Sequence, residues 1–92
     1  MSTRIVTKEI DPSSSAAFRA EVDDAVRRAA DTGGEVVLDF GDVEFIDSTG
    51  LTVLLDAHRT LGDQDRTLTI DNALPHIRRL FEVTGLEQFL AP

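Results

Sequence analysis

The chain has 92 residues, 41% of them hydrophobic, and its 9 basic and 17 acidic side chains give a formal charge of −8. That length predicts one domain around one compact core, and the apolar fraction places it among globular rather than disordered chains. The acidic excess argues against direct binding to nucleic acid or to an anionic membrane, which need basic patches, and suits a basic protein partner.

Cysteine is absent. Disulfides and thiolate metal sites are therefore ruled out, in keeping with a cytoplasmic address. Met1 to Lys8 lacks the apolar core of a signal peptide. No apolar run approaches the ~20 residues that cross a bilayer, so no membrane segment is expected.

Arg4 to Ile10 is rich in β-branched residues and partly alternating, which predicts a first strand. Asp11 then suits a helix N-cap and Pro12 the first helical position, with Ser14 as a competing cap one turn later. Phe18, Val22, Ala25, Val26 and Ala29 recur at helical spacing as one apolar stripe, and Gly33-Gly34 ends that helix. Glu35 to Phe40 is nearly continuous in apolar character, as in a strand covered on both faces. Gly41-Asp42 marks a turn, after which Val43, Phe45 and Ile46 resume an extended chain.

A second helix carries Leu51, Leu54, Leu55, His58 and Leu61 on one face and stops at Gly62. Arg66 to Asp71 alternates and predicts a third strand. Asp71-Asn72 offers caps for a third helix, in which Ile77, Leu80 and Phe81 share a face before Gly85. Leu86, Phe89 and Leu90 make a short apolar tail that docks on the core. There is no internal repeat. Strand and helix alternate three times, which predicts an α/β domain with right-handed crossovers.

Between the second strand and the second helix lies the polar knot Asp47-Ser48-Thr49-Gly50. Its hydroxyls and carboxylate compete to satisfy the free N–H groups of the helix start. Those N–H groups and the helix dipole also make the spot hospitable to a phosphate. On this chemistry alone Ser48 is either an N-cap or a phosphorylation site. Asp47 caps or orders the loop, Thr49 is a second cap, and Gly50 permits a close approach of backbone.

Three stretches then resemble the STAS domain family, and within it the bacterial anti-sigma factor antagonists. They are Glu9-Ile10-Asp11 at a strand end; Val37-Leu38-Asp39-Phe40 through Phe45-Ile46-Asp47-Ser48-Thr49-Gly50-Leu51; and Ile77-Arg78-Arg79-Leu80-Phe81 with Thr84-Gly85-Leu86. The resemblance covers almost the whole chain in order and spacing. It implies a single STAS-like domain over residues 1–92, with a mixed β-sheet and alternating helices.

The resemblance also implies a cycle. The unphosphorylated domain binds an anti-sigma factor and so frees a sigma factor. That anti-sigma factor is also a kinase of the histidine-kinase-like ATPase fold, and it phosphorylates the serine after the signature aspartate, here Ser48. The phosphorylated domain lets go, and a phosphatase resets it. The partner face comprises Asp11, Asp47, Ser48, Thr49, Gly50 and Leu51, with Asp47 able to hold the Ser48 hydroxyl toward ATP. Lys8 stands where the family often has glycine, and Thr49 where a second serine is common. The edge strand and final helix are short relative to the family, which leaves an open sheet edge that bears on the oligomeric state; the expected state is a monomer or weak dimer.

Two other classes of function compete with this one. Short STAS chains also serve as accessory subunits, as in a lipid-transport ABC ATPase complex or a stressosome-like assembly. A serine hydrolase needs a nucleophile, a base and an orienter, but Ser48 lacks the Gly-x-Ser-x-Gly elbow and so small a domain leaves little room for a cleft. No enzymatic activity and no cofactor are expected. His58 reads as a partly buried packing residue and His76 as exposed, and without close histidine spacing no metal site is expected. Arg78-Arg79 faces solvent or pairs with neighbouring acids.

Overall fold

Eight regular elements order the chain in the computed structural model, which describes residues 2–31 and 34–91. They are β1 (Ser2–Arg4), β2 (Glu9–Ile10), α1 (Ser15–Arg28), β3 (Glu35–Asp39), β4 (Phe45–Ile46), α2 (Ser48–Gly62), β5 (Thr67–Asp71) and α3 (Pro75–Val83), with single 3-10 turns at Ala29–Asp31 and Glu87–Phe89. The α/β alternation expected from the sequence is present. Of the glycine pair expected to end α1, Gly33 lies outside the described residues, and Gly34 has a φ of 110°.

β1, β3 and β5 form one sheet in the order β1-β3-β5, and β2 pairs with β4 alone. The expected mixed sheet is a correction: every pairing among the described strands is parallel. The reason lies in the connections. The chain passes through α1 between β2 and β4 and through α2 between β3 and β5. A helical crossover returns the chain to the same end of the sheet, so consecutive strands run the same way.

The single strand expected over Arg4 to Ile10 is also corrected, because it is broken in two. Ile5 and Ile10 are both fully buried. They are an odd number of residues apart, and a continuous strand would send them to opposite faces. The chain solves this by leaving the ladder after Ile5, whose N–H still reaches Asp39 O at 3.0 Å. The detour is pinned from α1. The Glu21 carboxylate accepts the N–H groups of Val6 (2.6 Å) and Thr7 (3.2 Å) and the Thr7 hydroxyl.

Phe40 is the hub of the core. Its ring meets Phe18 of α1 edge-on at 6.1 Å and Phe81 of α3 at 6.4 Å. One face of β3 (Val36 and Leu38) is fully buried and the other only half covered, so the strand is less enclosed than its apolar run suggested. On α2 the buried stripe is Gly50, Val53, Leu54 and Leu61. Leu55 is exposed, and His58, also exposed, rests edge-on against the Phe89 ring at 5.0 Å.

α3 begins without the side-chain cap expected from Asp71-Asn72. Asp71 instead accepts from the N–H of Asn72, which sits at φ 60°. Pro75 at the first turn starts the helix, since its fixed φ is already helical and it has no N–H to satisfy. The C-terminal tail docks as expected. Phe89 is buried, Leu90 bridges Ile70 in parallel, and Ala91 N–H donates to Ile70 O at 2.9 Å.

Candidate functional site

The site is assembled by the small β2–β4 pair. Glu9 lies opposite Phe45 and Ile10 opposite Ile46. The parallel register sends both strands out at the same end, and Asp47 N–H donates to Ile10 O at 3.0 Å. The Asp11 turn and the Asp47–Ser48 turn, distant in sequence, are thereby neighbours. Ile10 and Ile46 are buried, and alternation along each strand turns Glu9 and Phe45 outward.

Asp11 does not cap α1 itself. Its Oδ1 accepts the Ser13 N–H (2.9 Å), the Ser13 hydroxyl (2.6 Å) and the Ser14 N–H (3.1 Å), closing a turn ahead of the helix. Ser14 occupies the N-cap position without a side-chain cap bond. Its hydroxyl is committed elsewhere, donating to Glu9 O at 2.6 Å and accepting Asp11 N–H at 3.0 Å. The Ser13 hydroxyl, with help from the Ser13 and Ser14 N–H groups, holds the Asp11 carboxyl below its ordinary range, while partial burial works the other way.

At α2 the competition within the knot is resolved. Asp47 is the N-cap, with extended backbone at φ −111° and ψ −169°. Its Oδ1 accepts from Thr49 N–H at 2.9 Å and from the Thr49 hydroxyl at 2.5 Å. Asp47 thus holds Thr49, not the Ser48 hydroxyl. Thr49 is half-buried, and its own hydroxyl is engaged. Ser48 is the first helical residue and exposed. Among the described residues no group hydrogen-bonds its hydroxyl. Only its carbonyl is used, accepting the Thr52 hydroxyl at 2.9 Å.

A stability test separates the two residues. Asp47→Ala should cost about 1 kcal/mol, the usual loss of a cap. Ser48→Ala should stay within about 0.5 kcal/mol of wild type, as for an exposed group without partners. Urea unfolding of both variants checks this, and equal losses would contradict the assignment.

Gly50, in the first turn of α2, lies tight against the β2–β4 pair. A Cβ built there would sit 2.6 Å from Ile10 Cγ2 and 2.6 Å from Ile46 Cγ1. Leu51 is half-buried against the core. All six residues expected at the partner face therefore lie at one end of the domain. They divide into an exposed hydroxyl (Ser48), two ordered carboxylates (Asp11, Asp47) and positions that set the helix (Thr49, Gly50, Leu51).

Two neighbours of this face escaped the sequence reading. Phe45 is 47% exposed, a large apolar ring on the outer side of the β2–β4 pair. The buried Ile46 beside it was the available signal, since alternation turns its neighbour outward. Arg19 of α1 lines a shallow groove with Ser15, Ala16, Thr49, Thr52 and Val53. No pattern in the sequence brings α1 to α2 at this level. Neither histidine belongs to the site. His76 Nε2 donates to Glu44 O at 2.6 Å, and His58 packs on Phe89. Among the described residues no group of three or more histidine, aspartate or glutamate side chains is placed to hold a metal, and no helix is long and apolar enough to cross a membrane.

Comparison with known proteins places this geometry. A Bordetella bronchiseptica protein named as the anti-sigma factor antagonist BtrV is 36% identical over 70 residues, 76% of this chain and 54% of that protein. The anti-sigma-B factor antagonist of Bacillus subtilis is 31% identical over 61 residues, 66% of this chain and 56% of that protein. The chain thus matches about half the length of these curated relatives. The fold is that of the anti-sigma factor antagonist SpoIIAA. Its unphosphorylated form superposes with a TM-score of 0.69 at 24% identity, covering 95% of this chain and 82% of that one. Its phosphorylated form gives 0.62 at 24% identity, covering 95% and 85%. A family profile described as "Mlab, STAS domain" matches residues 6–92. That match runs through the Asp11 turn, the Ser48 loop and α3, and the chain belongs to the STAS domain family.

Proposed function

We propose that this domain is an anti-sigma factor antagonist, a binding module rather than an enzyme, switched off by phosphorylation of Ser48. The observation that carries this is the state of the Ser48 hydroxyl. It is exposed on the first residue of α2, while the capping is done by Asp47. A hydroxyl that the fold does not use can be modified without dismantling the fold. The names borne by the curated relatives support the same reading.

The partner is an anti-sigma factor with a histidine-kinase-like ATPase fold, met in the cytoplasm by the face around Asp11, Asp47, Ser48, Thr49, Gly50 and Leu51. In the kinase step the Ser48 oxygen bonds to the γ-phosphorus of ATP. The bond from that phosphorus to the β–γ bridging oxygen breaks, ADP leaves, and the hydroxyl proton passes to a base on the kinase. Asp47 contributes by fixing the helix start that presents the hydroxyl. A phosphatase reverses the modification by hydrolysis. The domain acts as a monomer or weak dimer.

The switch follows from magnitudes. The phosphate adds about −1.5 to −2 charges. Within the domain that charge meets the positive end of α2, worth about 0.3–1 kcal/mol. In the complex it is forced against the nucleotide phosphates that Ser48 must face in order to be a substrate, and like charges held together cost several kcal/mol. Binding therefore changes far more than folding does.

The test is incubation of the chain with ATP and each purified anti-sigma kinase encoded in the same genome, read by intact mass. Wild type should gain one phosphate and Ser48→Ala none. Equal modification of both proteins, or of neither by any kinase, contradicts the proposal.

A further inference from the structure

The groove beside Ser48 contains a cation that the binding cycle does not use. In the adjoining hollow further along the helices Arg19 of α1 meets Asp56 of α2, Nη2 to Oδ2 at 3.1 Å, with the side chains 48% and 41% exposed. The two helices run side by side in the same direction. Ser15 and Ala16 are level with Thr49 and Thr52, and Val22 and Val26 are level with Asp56, Ala57 and Leu61. Arg19 therefore starts about one turn below the two helix N-termini.

Side chains on a helix lean toward its N-terminus. Asp56 lies eight residues beyond Ser48, about 12 Å along the axis, but its carboxylate leans back toward Thr52. Arg19 lines both hollows, the lower one with Asp56 and the upper one with Thr49 and Thr52. Thr52 is one turn from Ser48 on nearly the same face, and its hydroxyl bonds the Ser48 carbonyl. Arg19 thus shares a hollow with Thr52, the residue one turn from Ser48.

Taking Ser48 as the phosphoacceptor, the geometry points to Arg19 as an internal phosphate receptor. On phosphorylation Arg19 exchanges Asp56 for the Ser48 phosphate and holds it in the α1–α2 groove. An ion pair as exposed as Arg19–Asp56 is weakly held. A phosphate dianion offers the guanidinium more charge than a carboxylate and three acceptor oxygens, any two of which can take the bidentate fork. The released state then has an order of its own, with the phosphate folded back on α1 and Asp56 left free in solvent.

The charged groups on the elements around that phosphate are Asp47 at the cap, Asp11 in the adjoining turn, and, further along the groove, Asp56 of α2 and Arg19 of α1. The three carboxylates make the dianion harder to form, and Arg19 makes it easier. A comparison that removes Arg19 alone cancels the rest.

The test uses the full chain with phosphoserine installed at position 48 during translation, so no kinase is involved. Phosphorus NMR follows the second ionisation of the phosphate, ordinarily near pH ~6, in wild type, Arg19→Gln and Arg59→Gln. Arg59 is eleven residues along α2 from Ser48, about 16 Å, so its loss changes net charge without touching the site. The phosphate pKa of Arg19→Gln should exceed that of wild type by at least about 0.5 unit, threefold in proton affinity. Arg59→Gln should match wild type. Identical titrations of wild type and Arg19→Gln, or equal shifts in both variants, overturn the inference. A failed kinase assay would leave these titrations unchanged, so the two readings fail separately.

Discussion

Ser48→Asp is expected to weaken binding to the anti-sigma factor by about a hundredfold or more, a loss of about 2.7 kcal/mol, while the domain keeps its fold. The asymmetry follows from where the carboxylate lands. In the free domain it sits in solvent at the first position of α2, beside a cap already made by Asp47. The helix dipole favours an acid there, and repulsion from Asp47 works against it, so unfolding free energy should stay within about 0.5 kcal/mol of wild type. In the complex the same carboxylate must give up its water and face the phosphates of the nucleotide. Titration calorimetry against the partner, paired with thermal unfolding, checks both halves. Wild-type affinity would sink the switch, and a large drop in Tm would mean that the effect is on folding.

The second large effect falls on the fold beneath the site. Gly50→Ala should lower stability by about 1–3 kcal/mol, the usual range for forcing an extra carbon into a packed core. Its Cβ would come within 2.6 Å of both Ile10 and Ile46, and Ile46 Cδ1 lies 2.9 Å away. Both isoleucines are buried, at 0% and 3% exposure, and β-branched side chains have few alternative rotamers. Neither can step aside, so the start of α2 must lift from the β2–β4 pair. Better helix propensity returns up to about 1 kcal/mol, and the remaining loss should appear as a drop in Tm of several degrees, at about 4–8 °C per kcal/mol. Gly62→Ala is the control, because a Cβ there meets nothing within 4 Å. If both substitutions were neutral, the close approach at Gly50 would be wrong.

The order of elements, the core faces of α1 and α3 and the Ser48 loop were legible because each rests on local patterns. The Phe18, Val22, Ala25 stripe repeats at helical spacing, and its members are buried. What escaped depends on partners far away in sequence. Ile5 and Ile10 look like members of one strand, and only the need to bury both reveals the break that Glu21 fills. On α2 the large side chains Leu55 and His58 drew the expected stripe to one side. The buried stripe keeps the expected Leu54 and Leu61 but turns through Val53 and Gly50, and glycine carries almost no hydropathy signal.

The knot itself shows the limit most clearly. Asp47, Ser48 and Thr49 are all acceptable caps by residue type, and only the backbone decides among them. The extended conformation of Asp47 makes it the cap and leaves Ser48 free. Arg19 lay further out of reach, since its place beside Thr52 is set by the parallel packing of two helices.

The central claim is that this domain frees a sigma factor from its anti-sigma factor and that a phosphate on Ser48 prevents it. The most direct measurement is release of sigma factor from a preformed sigma–anti-sigma complex, titrated with the unphosphorylated chain, the Ser48-phosphorylated chain and the latter after phosphatase treatment. The unphosphorylated and dephosphorylated proteins should release sigma factor at matching concentrations, and the phosphorylated protein should need about a hundredfold more. Equal release by all three, or by none, would contradict the account.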